Sequence, residues 1–466
     1  MRKNKIGLLP LYIELYDRSF ADRRPRMDAF YAEMVNALRG RGLDVETVPV
    51  CRLQREFRAA IVAFKKAGVD ALVTLHLAYS PSLESAGALA KTALPIIVLD
   101  TTPTFDYGPR QDPDELMYNH GIHGVQDMCN LLIRNGKRFE IAAGHWKRSD
   151  ALDRVVGLVR SARLAGAMRG ARVGIIGKPF KGMGDFAVPA SVMKRTIGIE
   201  TVPCRPASLR RLVGAVTSRD IAAEMSEDRR QFRMGKMSAA AYDRSTRLCV
   251  AIRRWIAKER LTAFTVNFLD ADRASGLPTV PFLAASKAMG RGLGYAGEGD
   301  ILTAGLVGAL ASVYPDTSFT EMFCPDWKGN RIFLSHMGEM NPRLAQGRAT
   351  LAEMDYKFSD TANPIRALGC FRGGRAVFVN LAPLPGWGYR LILAPIKVEK
   401  IAGRDRMADS IHGWFRPHSI PRMPVASFLE EYSRLGGTHH AAVVYGNVEA
   451  ELYAFGRWMG WQSMMV

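Results

Sequence analysis

Short apolar runs alternate with amphipathic stretches through the first third of the chain. Residues 6–11, 44–50, 71–77, 95–100 and 139–143 concentrate Leu, Ile and Val and predict strands. Residues 26–39, 56–67 and 124–134 repeat apolar positions every three or four places and predict helices. Such alternation implies a parallel sheet covered by helices on both faces. The pattern restarts after a helix predicted over 151–164: strands over 172–177, 199–203 and 263–267, and helices over 208–216, 239–258, 281–289 and 302–312. From about residue 326 it changes to short β-like runs, 331–334, 376–381, 389–398 and 441–445, separated by Gly and Pro and closed by a helix over 449–459. The expected fold class is α/β: two Rossmann-like parallel-sheet domains, 1–165 and 166–325, then a mostly antiparallel β C-terminal domain, 326–466.

Composition narrows the class without naming a function. A chain of 466 residues exceeds what one core supports, and 48% hydrophobic with 23% charged residues is an ordinary folded balance. The net charge of +19 would attract polyanions. The basic residues, however, come in short clusters mixed with acids, such as Asp22-Arg23-Arg24-Pro25-Arg26, with no aromatic platform beside them, so no specific nucleic-acid partner is expected. Six cysteines without a CxxC pair argue against a zinc ribbon or a disulfide framework and fit reduced thiols. The basic opening reads as a first strand rather than a signal peptide, and no apolar run reaches the roughly 18 residues of a membrane span. A cytoplasmic protein without membrane partners is expected.

Candidate chemistry sits in four Gly- or Pro-rich segments: Tyr295-Ala296-Gly297-Glu298-Gly299-Asp300, Ser318-Phe319-Thr320-Glu321, Ser335-His336-Met337-Gly338-Glu339 and Gly436-Gly437-Thr438-His439-His440. Two glutamates and two histidines would make a mixed oxygen and nitrogen site for a borderline or hard divalent cation. Taken singly, each signal is weak: a glutamate between glycines is more often a solvated turn residue than a ligand, paired histidines are more often one buried and one exposed ring, and spacing alone does not bring residue 298 beside residue 440.

In order, these segments resemble the motifs of the L-arabinose and L-fucose isomerase family: Glu-Gly-Asp, Phe-x-Glu, His-Met-x-Glu-x-x-Pro and Gly-Gly-x-His-His. Upstream, Asn119-His120-Gly121-Ile122-His123-Gly124 and Gly144-His145-Trp146 are similar to its Asn-Gln-x-x-His-Gly and Gly-His-Trp segments, and Tyr79-Ser80-Pro81 to its aromatic-Ser-Pro loop. The resemblance implies Glu298, Glu321, His336 and His440 as metal ligands, with Glu298 and Glu321 also the catalytic acid/base pair. It implies His123, His120, Tyr79, Phe268 and Met337 as sugar contacts. Mn²⁺ is the implied cofactor, with Mg²⁺ or Co²⁺ as substitutes, and a homo-oligomer, trimer or hexamer, is the implied assembly. His120 stands where arabinose isomerases carry glutamine, and the opening Leu8-Leu9-Pro10-Leu11-Tyr12 departs from the family's, so the sugar stays open.

The expected activity is metal-dependent aldose-ketose isomerisation through an enediol(ate). A non-catalytic sugar-binding or regulatory protein on the same fold, or a metal-dependent sugar epimerase, remains an alternative. Residues 177–185, Gly-Lys-Pro-Phe-Lys-Gly-Met-Gly-Asp, lack the Gly-Lys-Ser/Thr of a phosphate loop. They are expected to form a lip of the active site, with Lys178 or Lys181 near the sugar, or a plain strand-to-helix loop.

Overall fold

The computed structural model describes residues 2–272, 274–403, 405–418 and 423–466. Its contacts divide the chain into two units, Met1–Gly166 and Ala167–Val466. In the first, β1 (Lys5–Leu11), β2 (Asp44–Thr47), β3 (Ala71–His76), β4 (Ile96–Asp100) and β5 (Phe139–Ala143) form one sheet in the order β2-β1-β3-β4-β5. Every pairing is parallel, as the alternating pattern predicts. The strand expected over 44–50 stops at Thr47, just before Pro49, which has no N–H to give a ladder. Phe57, Phe64, Leu72, Val98 and Leu132 are buried between the sheet and its helices.

His76 closes β3 in an apolar surrounding. It is buried, and neither ring nitrogen has a hydrogen-bond partner. The ring lies against Gly124, where a Cβ would sit 2.9 Å from its Nε2. Burial pushes this imidazole down to about 3, with Asp127 pulling weakly the other way. The unfolded state therefore takes up a proton on His76 near pH 6.5 that the folded state refuses until about pH 3, so its contribution to stability is present above 6.5 and lost as pH falls through that window. At about 1.4 kcal/mol per pKa unit this amounts to a few kcal/mol. Urea unfolding of wild type is expected to weaken from pH 7 to pH 4 more steeply than that of His76→Leu. Equal slopes would contradict the assignment.

The second unit begins with β6 (Arg172–Ile176) and β7 (Glu200–Pro203). The short β8 (Arg233–Met234) joins a different sheet, and β9 (Ala263–Val266) and β10 (Gly294–Gly297) complete a four-stranded sheet ordered β10-β9-β6-β7, parallel throughout. The helix Ile301–Val313 packs backbone to backbone on β10. A Cβ on Gly294 would strike Ala304 O and Gly308 N and lie 2.6 Å from Gly308 Cα, so both glycines are needed for this approach. Helix Ser218–Gln231, not evident in the sequence pattern, buries Glu224 and Asp228 against Lys287 of helix Phe282–Gly290.

The remaining strands are β11 (Thr317–Asp326), β12 (Arg331–Ser335), β13 (Thr350–Glu353), β14 (Ile365–Cys370), β15 (Gly374–Pro383), β16 (Tyr389–Val398), β17 (Ile411–Pro417), β18 (His440–Tyr445) and β19 (Gln462–Met465). Six of them, β16-β15-β18-β11-β12-β17, pair antiparallel, and β17 pairs back onto β16, closing a barrel. The two α/β sheets and the antiparallel β region agree with the expected fold class. Strand β11 crosses the expected change of pattern at residue 326. Its Thr317, Ser318 and Thr320 hide it from hydrophobic periodicity because these polar side chains are buried, and the half-buried Glu321 follows them. Among the described residues, no helix is long and apolar enough to cross a membrane.

Candidate active site

The site lies beyond the carboxyl end of β10, where parallel sheets commonly collect ligands. Glu298 follows β10 directly, in the left-handed backbone region at φ 64°, a conformation that costs a non-glycine residue about 1–3 kcal/mol. The loop after β6 holds it there. Phe180 N donates to the Glu298 carbonyl at 2.9 Å, and a Cβ on Gly299 would be 2.6 Å from Pro179 Cα. Lys178 N is in turn fixed by Asp270 Oδ2 at 2.7 Å. The 177–185 segment thus forms a lip around Glu298, with the side chains of Lys178 and Lys181 exposed.

Barrel strands bring the other groups. Glu321 on β11 is paired across the ladder with His440 on β18 and with Ser335 on β12, one residue before His336. Register therefore places Glu321 between two histidines. Among the described residues, Glu298, Glu321, His439 and His440 each offer one ligand atom, all within 4.8 Å of one another. His440 Nε2 is 3.1 Å from Glu298 Oε2 and 3.0 Å from Glu321 Oε1, while His336 Nε2 is 3.8 Å from Glu321 Oε1.

Each histidine is braced through Nδ1 by a carboxylate. His336 meets Glu339 at 2.5 Å, His439 meets Asp185 at 2.6 Å, and His440 meets Asp300 at 2.9 Å. Such a carboxylate fixes ring orientation and tautomer and leaves Nε2 to face the site. Asp300 works twice, its other oxygen capping helix Ile301–Val313 through Thr303 N at 2.9 Å. Glu339 is buried and also accepts from Tyr295 OH at 2.5 Å. Phe186 stacks on His440 at 4.9 Å and 8°, and Phe319 meets His336 and His440 edge-on.

Electrostatics couple the cluster. Burial pushes the Glu298 carboxyl up, but the imidazoles of His439 and His440 outweigh it and hold it down at about 2. Burial works against charge on His439 and His440 as well. Asp185 and Glu298 overcome it for His439, raising it to about 9, and Asp300, Glu298 and Glu321 raise His440 well above its ordinary value.

The other expected residues lie on two units. In the first, His120 Nδ1 donates to Leu116 O at 3.0 Å and its Nε2 pairs with Tyr16 OH at 3.1 Å, so both nitrogens are occupied. His123 is exposed, its ring 5.8 Å from that of His120, and Tyr79 OH donates to Asp127 at 3.3 Å. In the second, Phe268 follows β9 with its ring 5.9 Å from Phe180, and Met337, partly exposed, accepts from Arg366 through its carbonyl at 3.1 Å. Sequence reasoning assigned no role to His439, Asp185 or Asp300. Asp300 could have been found as an N-cap beside an expected ligand, but nothing in the sequence links Asp185 to residue 439.

Two family models match this unit. The L-arabinose isomerase central domain covers residues 193–314, and the L-arabinose isomerase C-terminal domain covers residues 316–462, more than half the chain between them. The chain belongs to the L-arabinose isomerase family. It is accordingly an enzyme of the aldose-ketose isomerase class. The L-arabinose isomerase of Shouchella clausii (strain KSM-K16) is 22% identical over 371 residues, 76% of this chain and 72% of that one. That of Enterobacter sp. (strain 638) is 25% identical over 71% of this chain and 67% of that one. That of Aeromonas salmonicida (strain A449) is 23% identical over 85% and 81%. At such distances the family is secure while side chains that select a sugar are free to change.

Proposed function

We propose that this isomerase is divalent-metal-dependent and moves a proton between C1 and C2 of a small aldose through an enediol, with Glu298 and Glu321 as the acid/base pair. The observation that carries the proposal is the convergence of Glu298, Glu321 and His440 from three separate elements, with Glu298 Oε2 and His440 Nε2 buried and facing each other at 3.1 Å in a geometry that makes no hydrogen bond. Buried polar atoms left in that state are costly unless a ligand completes them. Two carboxylates and braced imidazoles suit Mn²⁺, with Mg²⁺ or Co²⁺ able to substitute, and Glu298, Glu321, His336 and His440 would hold the ion. A divalent cation there supplies Lewis-acid polarisation of the sugar carbonyl and offsets the negative charge that develops on enolisation.

The chain's own groups do the rest. One glutamate takes the proton from the carbon bearing the hydroxyl and returns it to the neighbouring carbon, and the other manages the proton on oxygen. Asp300 and Glu339 hold His440 and His336 so that neither ring has to reorganise as charge develops. The relatives are named for L-arabinose, which makes an aldopentose the first substrate to try and a 6-deoxyhexose the second. A cytoplasmic homo-oligomer, trimer or hexamer, is proposed with it.

The test is incubation of Mn²⁺-loaded protein with a panel of aldoses in deuterated water. Ketose formation that a chelator abolishes and Mn²⁺ restores is expected. Ketose yield unaffected by chelation would overturn the metal dependence. A C2 epimer without ketose would mean an epimerase, and saturable binding without turnover a sugar-binding protein.

A further inference from the structure

His439 differs from its neighbour in one respect that bears on the reaction. His440 is wholly enclosed, whereas the His439 side chain is 40% exposed on the open side of the cluster. Its Nε2 stands 3.7 Å from Glu298 Oε2 and 4.0 Å from Glu321 Oε1, too far for hydrogen bonds. That nitrogen faces the acid/base pair across a gap wide enough for an atom to lie between them. The ring does not hold this pose unaided. Asp185 Oδ2, on the lip after β6, accepts from His439 Nδ1 at 2.6 Å and from its main-chain N at 3.0 Å. The next residue, Phe186, lies 5.8 Å from the same ring, and Phe180 on the same lip fixes the backbone of Glu298. One loop therefore sets both the base and the ring that looks at it.

We infer that Asp185 is a positioning residue for isomerisation, acting through His439 to hold Nε2 where it meets a sugar oxygen lying between that ring and the two glutamates. The inference rests on the isomerase reading of the site. It assigns the lip a task apart from that expected of its lysines, and places the sugar on the His439 side of the cluster. A carboxylate behind a metal-ligating imidazole is worth about 10- to 100-fold in affinity or activity, and the same orienting role is expected to count for as much here.

The experiment uses the full chain loaded with Mn²⁺ and the aldose it turns over fastest, and compares D185A, H439A and the double variant. D185A is expected to lower kcat about 10- to 100-fold while Mn²⁺ affinity stays within about threefold of wild type. The double variant should be no worse than H439A, since both changes remove one interaction. Additive losses, or kcat in D185A within twofold of wild type, would overturn the inference. Loss of Mn²⁺ affinity matching the loss of kcat would also overturn it, by making His439 a metal ligand instead. Should wild type isomerise no aldose, the functional reading fails by itself. A crystal structure of D185A then decides the positioning claim: the His439 ring turned away from Glu298 supports it, and an unmoved ring refutes it.

Discussion

Glu298→Gln and Glu321→Gln are each expected to lose about 10²- to 10⁴-fold in turnover, the range over which positioned acid/base groups act. Glutamine keeps the size and one acceptor oxygen of glutamate but neither takes a proton from carbon nor carries charge. For Glu298 the consequence reaches further. His439 and His440 hold its carboxyl down at about 2, so it is ionised throughout the working range. On the proposed mechanism, neutralising it removes both an acid/base group and a charge that faces the two rings. Its left-handed backbone is held by Phe180 N and by Gly299, not by its side chain, so the variant should keep its fold. Initial rates beside thermal unfolding curves check this. Near-normal rates in both variants would remove the pair from the mechanism.

Gly294→Ala should cost about 3 kcal/mol or more in stability, at or above the upper end of ordinary overpacking. The added methyl meets main-chain atoms of Ala304 and Gly308, which have no rotamer to change, so strand and helix must separate. Glu298 and Asp300 lie on the turn joining them, and turnover should fall with stability. Gly87→Ala, in helix Ser82–Lys91 where the new carbon meets nothing, is the control and should be neutral or slightly stabilising. Denaturant unfolding of the two variants beside wild type measures the difference, and equal midpoints would show that the contact yields.

Much of the fold was legible because parallel strands buried on both faces are written as continuous apolar runs. Residues 71–76 and 96–100 are examples. Helix Ser218–Gln231 was not, because two of its inward positions are Glu224 and Asp228, satisfied by Lys287 and therefore invisible to a hydrophobic period. Strand β11 escaped for a related reason, three of its four buried side chains being hydroxyls, with Phe319 the one apolar residue among them. The glutamates and His440 could be picked out by motif order. What tied them together was resemblance, since spacing says nothing about a fold that joins residues 298, 321 and 440. Asp185 was unreadable because a brace 254 positions from its histidine leaves no local trace.

The hairpin of β11 and β12 has two unlike halves. On the inner half Glu321 is locked in register between Ser335 and His440, and the ladder shifts at a bulge between Met322 and Cys324. The bulged residue, Phe323, is exposed, and so is Trp327 at the tip beyond it. A bulge absorbs an extra residue and uncouples the pairing on its two sides. Changes confined to residues 327–329 at the tip should therefore leave the register at Glu321 alone, while Asn330 and Arg331 tie the tip's base to Val425 and Glu399, and one residue lost below the bulge would turn Glu321 to the opposite face.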